Sequence, residues 1–288
     1  MPFFSIILPI RKEFKRLHYC LPSLLKQTFQ DFEIIMVEDP ETSDKTKEFV
    51  DSLNDSRIKY LIHSKGLRLP AKRNYGSKYS SGQYLYFIDA DMEFPSGVLQ
   101  DIKAKIDESQ AKIVFVPERT PGKPWANRMK NLEKRICDGN VNLSAARLVA
   151  KSVFDEIEGF TEELIVTEDG DFSDRARATS AKWVFSTTPV NHYEVSESAI
   201  KHFQKKFKYG VSSSSYFEHT KKNTNVKQAE NEKARGLGGR TIYFTSPIVW
   251  EKPFDGIQFI IFKFIEFFVM FVGLVYGKIF KSEVIHTR

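Results

Sequence analysis

The sequence predicts an α/β fold in which a mostly parallel central sheet carries helices on both faces. Two observations support this. Continuous apolar runs recur at "FFSIILPI" (3–10), "FEIIMVE" (32–38), "IKYLIHS" (58–64), "QYLYFID" (83–89) and "KIVFVPE" (112–118). Strands buried on both faces read this way, without the alternation of a half-exposed sheet. The segments between the runs, "LHYCLPSLLKQT", "TSDKTKEFVDSL", "LPAKRNYGSKYS" and "SGVLQDIKAKIDES", place apolar residues at helical spacing. Strands alternating with helices give a parallel sheet covered on both sides.

Taken in order, the opening "MPFFSIILPIRKEF" lacks the basic flank and small-residue cleavage site of a signal peptide, and is expected to be the first strand. Thr42 and Ser43 before Asp44, and Ser96 after Pro95, are expected near helix N-caps, with Gly82 as a helix stop. Between Thr120 and Val195 the pattern loosens. There "GNVNLSAARLVAKSVFDEIEGF" predicts a loop, a strand and a short helix, and "KWVFSTTPVNHYE" a last strand. The intervening "TEDGDFSDRARA" begins acidic and turns basic, the polarity a helix dipole favours.

With 41% hydrophobic and 28% charged residues, the chain has the composition of a globular protein rather than a disordered one. Its formal charge of +6 favours anionic partners. No nucleic-acid recognition motif accompanies that charge, so no nucleic-acid partner is expected. Cys20 and Cys137 form no C-x-x-C pair and read as structural thiols in a reducing compartment.

The chemistry gathers where strands end. "YLYFIDADMEFP" closes an apolar run with Asp89, Ala90, Asp91 and Glu93. Carboxylates this close repel one another unless a positive charge joins them. Asp89 and Asp91 suit Mg²⁺ or Mn²⁺, which take carboxylate and diphosphate oxygens together. Alternatively, the acids simply cap the next helix. In open α/β sheets ligands bind outside the carboxyl ends of the strands, where these acids lie.

In order along the chain stand "SIILPIRKE", "VEDPETSDKT", the Ala-x-Arg-Asn-x-Gly of residues 71–76, the D-x-D, "EGFTEEL" and "TEDGDFSDR". This ordered set resembles glycosyltransferase family 2, inverting enzymes of the GT-A fold that use nucleotide-sugar donors, over about Phe4 to Tyr193. The resemblance implies a donor site of Pro9, Arg11, Glu13, Asp39, Arg73, Asn74, Asp89, Ala90, Asp91 and Asn142. Asp39 would meet the nucleobase and Arg73 the diphosphate. It implies Asp89, Asp91 and His192 as metal ligands for Mn²⁺ or Mg²⁺, and Asp169 with Glu168 as the catalytic acids. Asn140 and Arg147 fall in the segment that in relatives approaches donor sugar and acceptor. Glu38 stands where an aspartate is more usual, and "IRKE" departs from the commoner aromatic-Asn, so the base, uracil or guanine, stays open.

After residue 195 the composition changes, and the chain is expected to divide into a GT-A domain (1–195) and a C-terminal membrane-associated region (196–288). The latter holds a basic amphipathic helix at "AIKHFQKKFKYG", a polar linker at "EHTKKNTNVKQAENEKARGLGG" and an apolar helix at 257–280. Lys263, Glu266, Met270, Gly273 and Gly277 fall on one stripe of that helix, facing either water or protein. The G-x-x-x-G suggests close helix contact, including a homo-oligomer through this helix. The expected function is sugar transfer from a UDP- or GDP-sugar to a lipid-linked glycan or polyprenyl phosphate, at the cytoplasmic face of the cell membrane. Sugar-phosphate nucleotidyl transfer and a non-catalytic nucleotide-sugar-binding protein are the alternatives. The first lacks its glycine-rich basic signature in "LPIRKEFKRL".

Overall fold

The computed structural model describes residues 1–40, 45–164, 167–193, 198–223 and 239–280. By packing, the chain forms two units. The first comprises Met1–Glu118, Ser144–Glu163 and Glu168–His192; the second comprises Arg119–Leu143, Leu164–Thr167 and Tyr193–Arg288. This division differs from the sequence boundary at 195, because residues 119–143 pack with the C-terminal helices.

In the first unit, strands β1 (Phe4–Pro9), β2 (Phe32–Glu38), β3 (Ile58–Ile62) and β4 (Tyr84–Phe87) alternate with helices α1 (Phe14–Leu25), α2 (Thr46–Leu53) and α3 (Leu69–Lys78). After the short β5 (Met92–Glu93) and α4 (Val98–Ser109) come β6 (Ile113–Phe115) and β7 (Glu118–Arg119). The chain returns through β8 (Leu148–Ala150), α6 (Lys151–Glu156), α7 (Glu168–Ala178), β9 (Trp183–Phe185) and β10 (Val190–His192). The sheet order is β3-β2-β1-β4-β8-β6-β9. Only β8 runs against its neighbours, so the expected mostly parallel sheet is present. β1 and β2 are buried at every position, which their unbroken apolar runs require.

Two local expectations are corrected. The last predicted strand is two strands: β9 joins the main sheet, while β10 pairs antiparallel with β5, His192 opposite Met92. Thr187 and Thr188 between them are turned by Asp101, which accepts both backbone N–H groups at 2.7 and 2.8 Å. Ser96 does not cap α4, whose N-cap is Gly97; instead the Ser96 carbonyl accepts Thr28 N–H at 2.9 Å. Thr42, Ser43 and Asp44 lie outside the described residues.

The second unit contains α5 (Trp125–Cys137), which the sequence reading did not anticipate, then α8 (Ala199–Asn223), α9 (Ile242–Thr245), α10 (Pro247–Trp250) and α11 (Pro253–Ile279). α8 continues through residues 218–223, assigned above to the polar linker; residues 224–238 of that linker lie outside the described residues. The core joins Met129, Leu132 and Ile136 of α5 to Tyr243, Val249, Phe259 and Phe262. Gly273 and Gly277 of α11 press on α8, where an added Cβ would meet the Phe207 and Val211 carbonyl oxygens. The G-x-x-x-G seam is therefore filled within the chain, by α8.

One close approach sets the height of α3 over the sheet. A Cβ at Gly76 would lie 2.8 Å from Ile7 Cγ2 and 3.1 Å from Val37 Cγ2, both stiff branched side chains. Gly76→Val is expected to overpack this contact and lower stability by about 1–3 kcal/mol in urea unfolding. Gly66→Val, where a Cβ meets nothing within 4 Å, should stay within about 0.5 kcal/mol of the parent.

Candidate active site

The site forms at the carboxyl ends of β1, β2 and β4, around a buried cation. Arg73 projects from α3 and is 1% exposed. Its guanidinium donates to Asp89 Oδ1 at 3.0 Å, just after β4, and in a short contact to Asp169 Oδ1 on the first turn of α7. Glu168 Oε1 lies 3.8 Å away. The Phe160 ring sits 5.1 Å from the guanidinium and stacks on Phe172 at 4.1 Å, so an aromatic floor supports the cation.

The turn carrying Phe160 is held from α3. The Asn74 amide donates to Phe160 O at 2.8 Å and to Glu162 Oε1 at 2.9 Å, and accepts Phe160 N–H at 2.8 Å. Gly159 completes this turn at φ +70°, where a Cβ would sit 2.7 Å from Asn74 Oδ1. The Asn74 side chain thus clasps the loop before α7. Asp171 is likewise structural, accepting from Thr161 and Arg175 at 2.8 and 2.9 Å.

A second arginine enters from the start of β8. Arg147 donates to Asp89 Oδ2 at 2.9 Å, lies 3.0 Å from Glu118 Oε1 and 3.6 Å from Asp169 Oδ2. Ser173 ties these segments together, accepting Ala146 N–H and donating to the Asp169 carbonyl. Glu118 also accepts from or shares a proton with His192 Nδ1 at 2.9 Å, while His192 Nε2 points to Asp91 Oδ1 at 3.2 Å and Asp89 Oδ2 at 4.0 Å. Sequence reasoning missed Glu118, hidden at the end of a run read as strand, and gave Arg147 only a position. No local motif marks either residue.

Asp89, Asp91 and His192 each offer one ligand atom within 4.8 Å of the others. By formal charge, four carboxylates (Asp89, Asp91, Glu118, Asp169) face two guanidiniums (Arg73, Arg147). A divalent cation would close that deficit. Two carboxylates and an imidazole fit Mn²⁺ and, with its harder preference for oxygen, Mg²⁺ less fully. Among the described residues, the three side chains expected as metal ligands lie together.

Burial opposes the charge on Asp89, but Arg147 and Arg73, helped by His192, outweigh it and hold this carboxyl well below the usual range. Glu168 behaves oppositely: burial, then the neighbouring Asp169, push it up to about 8 against the partial relief of Arg73. Its Oε2 is buried without a hydrogen-bond partner, the environment of a neutral acid.

The nucleoside side of the expected donor site lies around Pro9 and Asp39. Asp39 is buried, accepts Leu67 N–H at 3.0 Å and pairs with Lys72 at 2.9 Å, while Lys72 also donates to Ile10 O at 2.8 Å. Arg11 is exposed and 3.7 Å from Asp39; Glu13 pairs with Arg16 at 3.0 Å. Ala90 is buried between the two site aspartates. Asn142 belongs to the other unit, where its N–H donates to Asn140 Oδ1 at 3.1 Å.

A parallel sheet with one reversed strand and an acid cluster at its carboxyl edge defines a GT-A-type α/β domain. In comparison with known proteins, residues 5–141 match the family model of Glycosyl transferase family 2. Over 116 residues it is 35% identical to the GalNAc(5)-diNAcBac-PP-undecaprenol beta-1,3-glucosyltransferase of Campylobacter jejuni, covering 39% of this chain and 37% of that protein. It is 34% identical over 116 residues to the uncharacterized glycosyltransferase EpsJ of Bacillus subtilis, covering 40% and 33%. Over 87 residues it is 34% identical to the Escherichia coli UDP-Glc:alpha-D-GlcNAc-diphosphoundecaprenol beta-1,3-glucosyltransferase WfgD, covering 30% and 34%. The chain thus spans about a third of the length of these relatives. Two solved structures share the fold. A mannosyltransferase from Pyrobaculum calidifontis, in complex with GDP-Man and Mn²⁺, has a TM-score of 0.69 at 10% identity, covering 98% of this chain and 88% of that one. S. aureus TarS 1-349 with UDP-GlcNAc has 0.55 at 19% identity, covering 89% and 79%.

Two outcomes follow from this geometry. Glu118→Ala removes the partner of His192 Nδ1 and should weaken Mn²⁺ binding about 10–100-fold, read by electron paramagnetic resonance without donor; Glu118→Gln, which keeps an acceptor oxygen, should lose less. Unchanged affinity in both variants would separate Glu118 from the ligand set. Glu168 gives a pH dependence. Its folded pKa of about 8 exceeds the ordinary 4.5, so the folded state holds more protons between these values. The stabilisation is full below pH 4.5 and is lost as pH rises through about 8. Thermal melts should show this fall, and Glu168→Gln should flatten it.

Proposed function

We propose that the protein is an inverting glycosyltransferase that moves a sugar from a UDP- or GDP-sugar to a lipid-linked acceptor at the cytoplasmic face of a membrane. The observation that carries the reading is the gathering of Asp89, Asp91, His192, Arg73, Arg147 and Asp169 in one site at the strand ends. Asp89, Asp91 and His192 would hold Mn²⁺ or Mg²⁺, which when bound neutralises charge on a leaving diphosphate. Pro9, Arg11, Glu13 and Asp39 form the nucleoside end of the donor site. Residues 1–195 are the catalytic domain in this reading, and 196–288 the membrane-associated region.

Asp169 is the proposed base. Arg73 and Arg147 orient its carboxylate, and the neutral Glu168 behind it leaves one charged group to face the acceptor. A sugar hydroxyl must lose a proton as it attacks, which a positioned carboxylate accelerates. A lipid phosphate is already ionised and needs no base. The printed names of two relatives carry sugars linked to undecaprenol through diphosphate, which supports a sugar hydroxyl on such a lipid as acceptor. Nucleotide sugars are cytosolic, hence the cytoplasmic face.

The test is single-turnover transfer with saturating nucleotide sugar. Asp169→Asn should keep donor affinity, measured by calorimetry, and lose about 10²–10⁴ in rate. Full-rate transfer to a sugar hydroxyl by this variant would remove Asp169 as the base.

A further inference from the structure

We infer that the second unit rests on an anionic phospholipid bilayer through the outer face of α11, with this helix lying in the membrane plane and not crossing it. The inference deepens the membrane part of the proposed function and rests on that part alone.

At 1.5 Å per residue, the 27 residues of α11 are long enough to cross a bilayer. What decides its use is how its two faces differ. Phe254, Ile257, Ile261, Phe264, Phe268 and Phe271 are each more than half exposed. At 100° per residue they share one face with Val275 and Ile279, and no charged residue interrupts it. Lys263 and Glu266 lie on the opposite face and are 3% and 1% exposed. They pair with each other; Lys263 reaches Glu133 of α5 at 3.2 Å, and Glu266 meets His202 and Lys206 of α8 at 2.6 and 3.4 Å.

This arrangement makes crossing incompatible with the folded unit. α8 runs alongside α11 in the same direction, with His202 stacked on Phe262 and Gly210 against Gly273. Lys201, Lys205 and Lys208 are exposed on α8, and crossing would take them into hydrocarbon with α11. Separating the helices instead would expose the buried ions to lipid. Lying in the plane demands neither, since the outer face meets the acyl region while the charges stay sealed behind it.

Cations stand at both flanks of the apolar face. On one side Arg128 reaches Gln258 at 3.4 Å; on the other, Arg240 lies 5.8 Å from the Phe267 ring, with Lys278 a few turns beyond. Near the start of α11 a cavity of about 360 Å³ is lined by Arg128, Lys252 and Asp255, with Arg135 paired to Glu251 at 2.7 Å and Arg119 to Asp138 at 2.6 Å. A cationic border around an apolar face matches acidic headgroups around acyl chains. A second copy of the chain would bring the same cations against themselves.

Deleting α11 would remove Phe259 and Phe262 from the core, so the test uses surface variants of the full chain. The parent should float with phosphatidylcholine vesicles containing phosphatidylglycerol, bind phosphatidylcholine alone more weakly, and be released by alkaline carbonate. Phe264→Glu with Phe268→Glu should reduce flotation roughly tenfold or more with unchanged melting and unchanged donor hydrolysis. Arg128→Glu should weaken binding only to the anionic vesicles. In a Cys137→Ser background (Cys20 is buried), a nitroxide on Phe268→Cys should report a depth near the headgroup boundary. A nitroxide at the bilayer centre with resistance to carbonate would overturn the in-plane reading. Failure to float, together with a dimer in light scattering that the double variant dissolves, would assign the face to a second copy. Either failure leaves sugar transfer by the first unit standing, because donor hydrolysis is read without vesicles.

Discussion

The first unit depends on a buried guanidinium. Arg73 is large, charged and 1% exposed, and such a group is costly inside a protein unless anions surround it. The chain supplies them from positions 16 and 96 residues away, Asp89 and Asp169. Meeting this demand fixes the end of β4, helix α3 and the first turn of α7 relative to one another. The same demand leaves an imbalance. Arg73 and Arg147 satisfy fewer negative charges than Asp89, Asp91, Glu118 and Asp169 bring, so the cluster that orders the fold also carries a formal excess of negative charge.

Two acids adjacent in sequence are put to different uses by that geometry. Asp169 reaches both arginines, whereas Glu168 turns into a buried space and is favoured as the neutral acid. Asp89 and Asp91, two residues apart, diverge as well: Asp89 is gripped by both arginines, and Asp91 faces His192. Spacing alone does not separate such neighbours. The difference comes from which partner each side chain meets on another element.

The legible part of the molecule is the part whose signals are local. β1 and β2 were readable because every residue is buried, and the acids after β4 were readable because they end an apolar run. Helix α5 was not, although Ala126, Met129, Leu132 and Ile136 follow helical spacing. Its remaining positions are largely basic or polar, so the stretch blended into irregular chain. Glu118 and Arg147 were obscured for another reason. Their roles arise from contacts with His192, Asp89 and Asp169, and no nearby residue announces them. β9 and β10 were merged because the turn between them is made by Asp101, far back on α4.

Helix α11 shows where composition stops being informative. Lys263 and Glu266 each cost about 2.5–3.5 kcal/mol at a membrane centre, and each Phe, Ile, Val or Leu returns about 0.3–0.6 kcal/mol. These terms nearly cancel, and the sum treats every side chain as meeting lipid. In the folded unit neither set does so uniformly. The two charges are sealed against Glu133, His202 and Lys206, and Phe259 and Phe262 are committed to the core. Breaking one partner out of a buried pair costs about 3–5 kcal/mol, more than several outward phenylalanines recover. The composition of a helix is fixed by sequence, but the composition of the face it presents is fixed by its neighbours. Here those neighbours turn a borderline membrane span into a one-sided apolar surface.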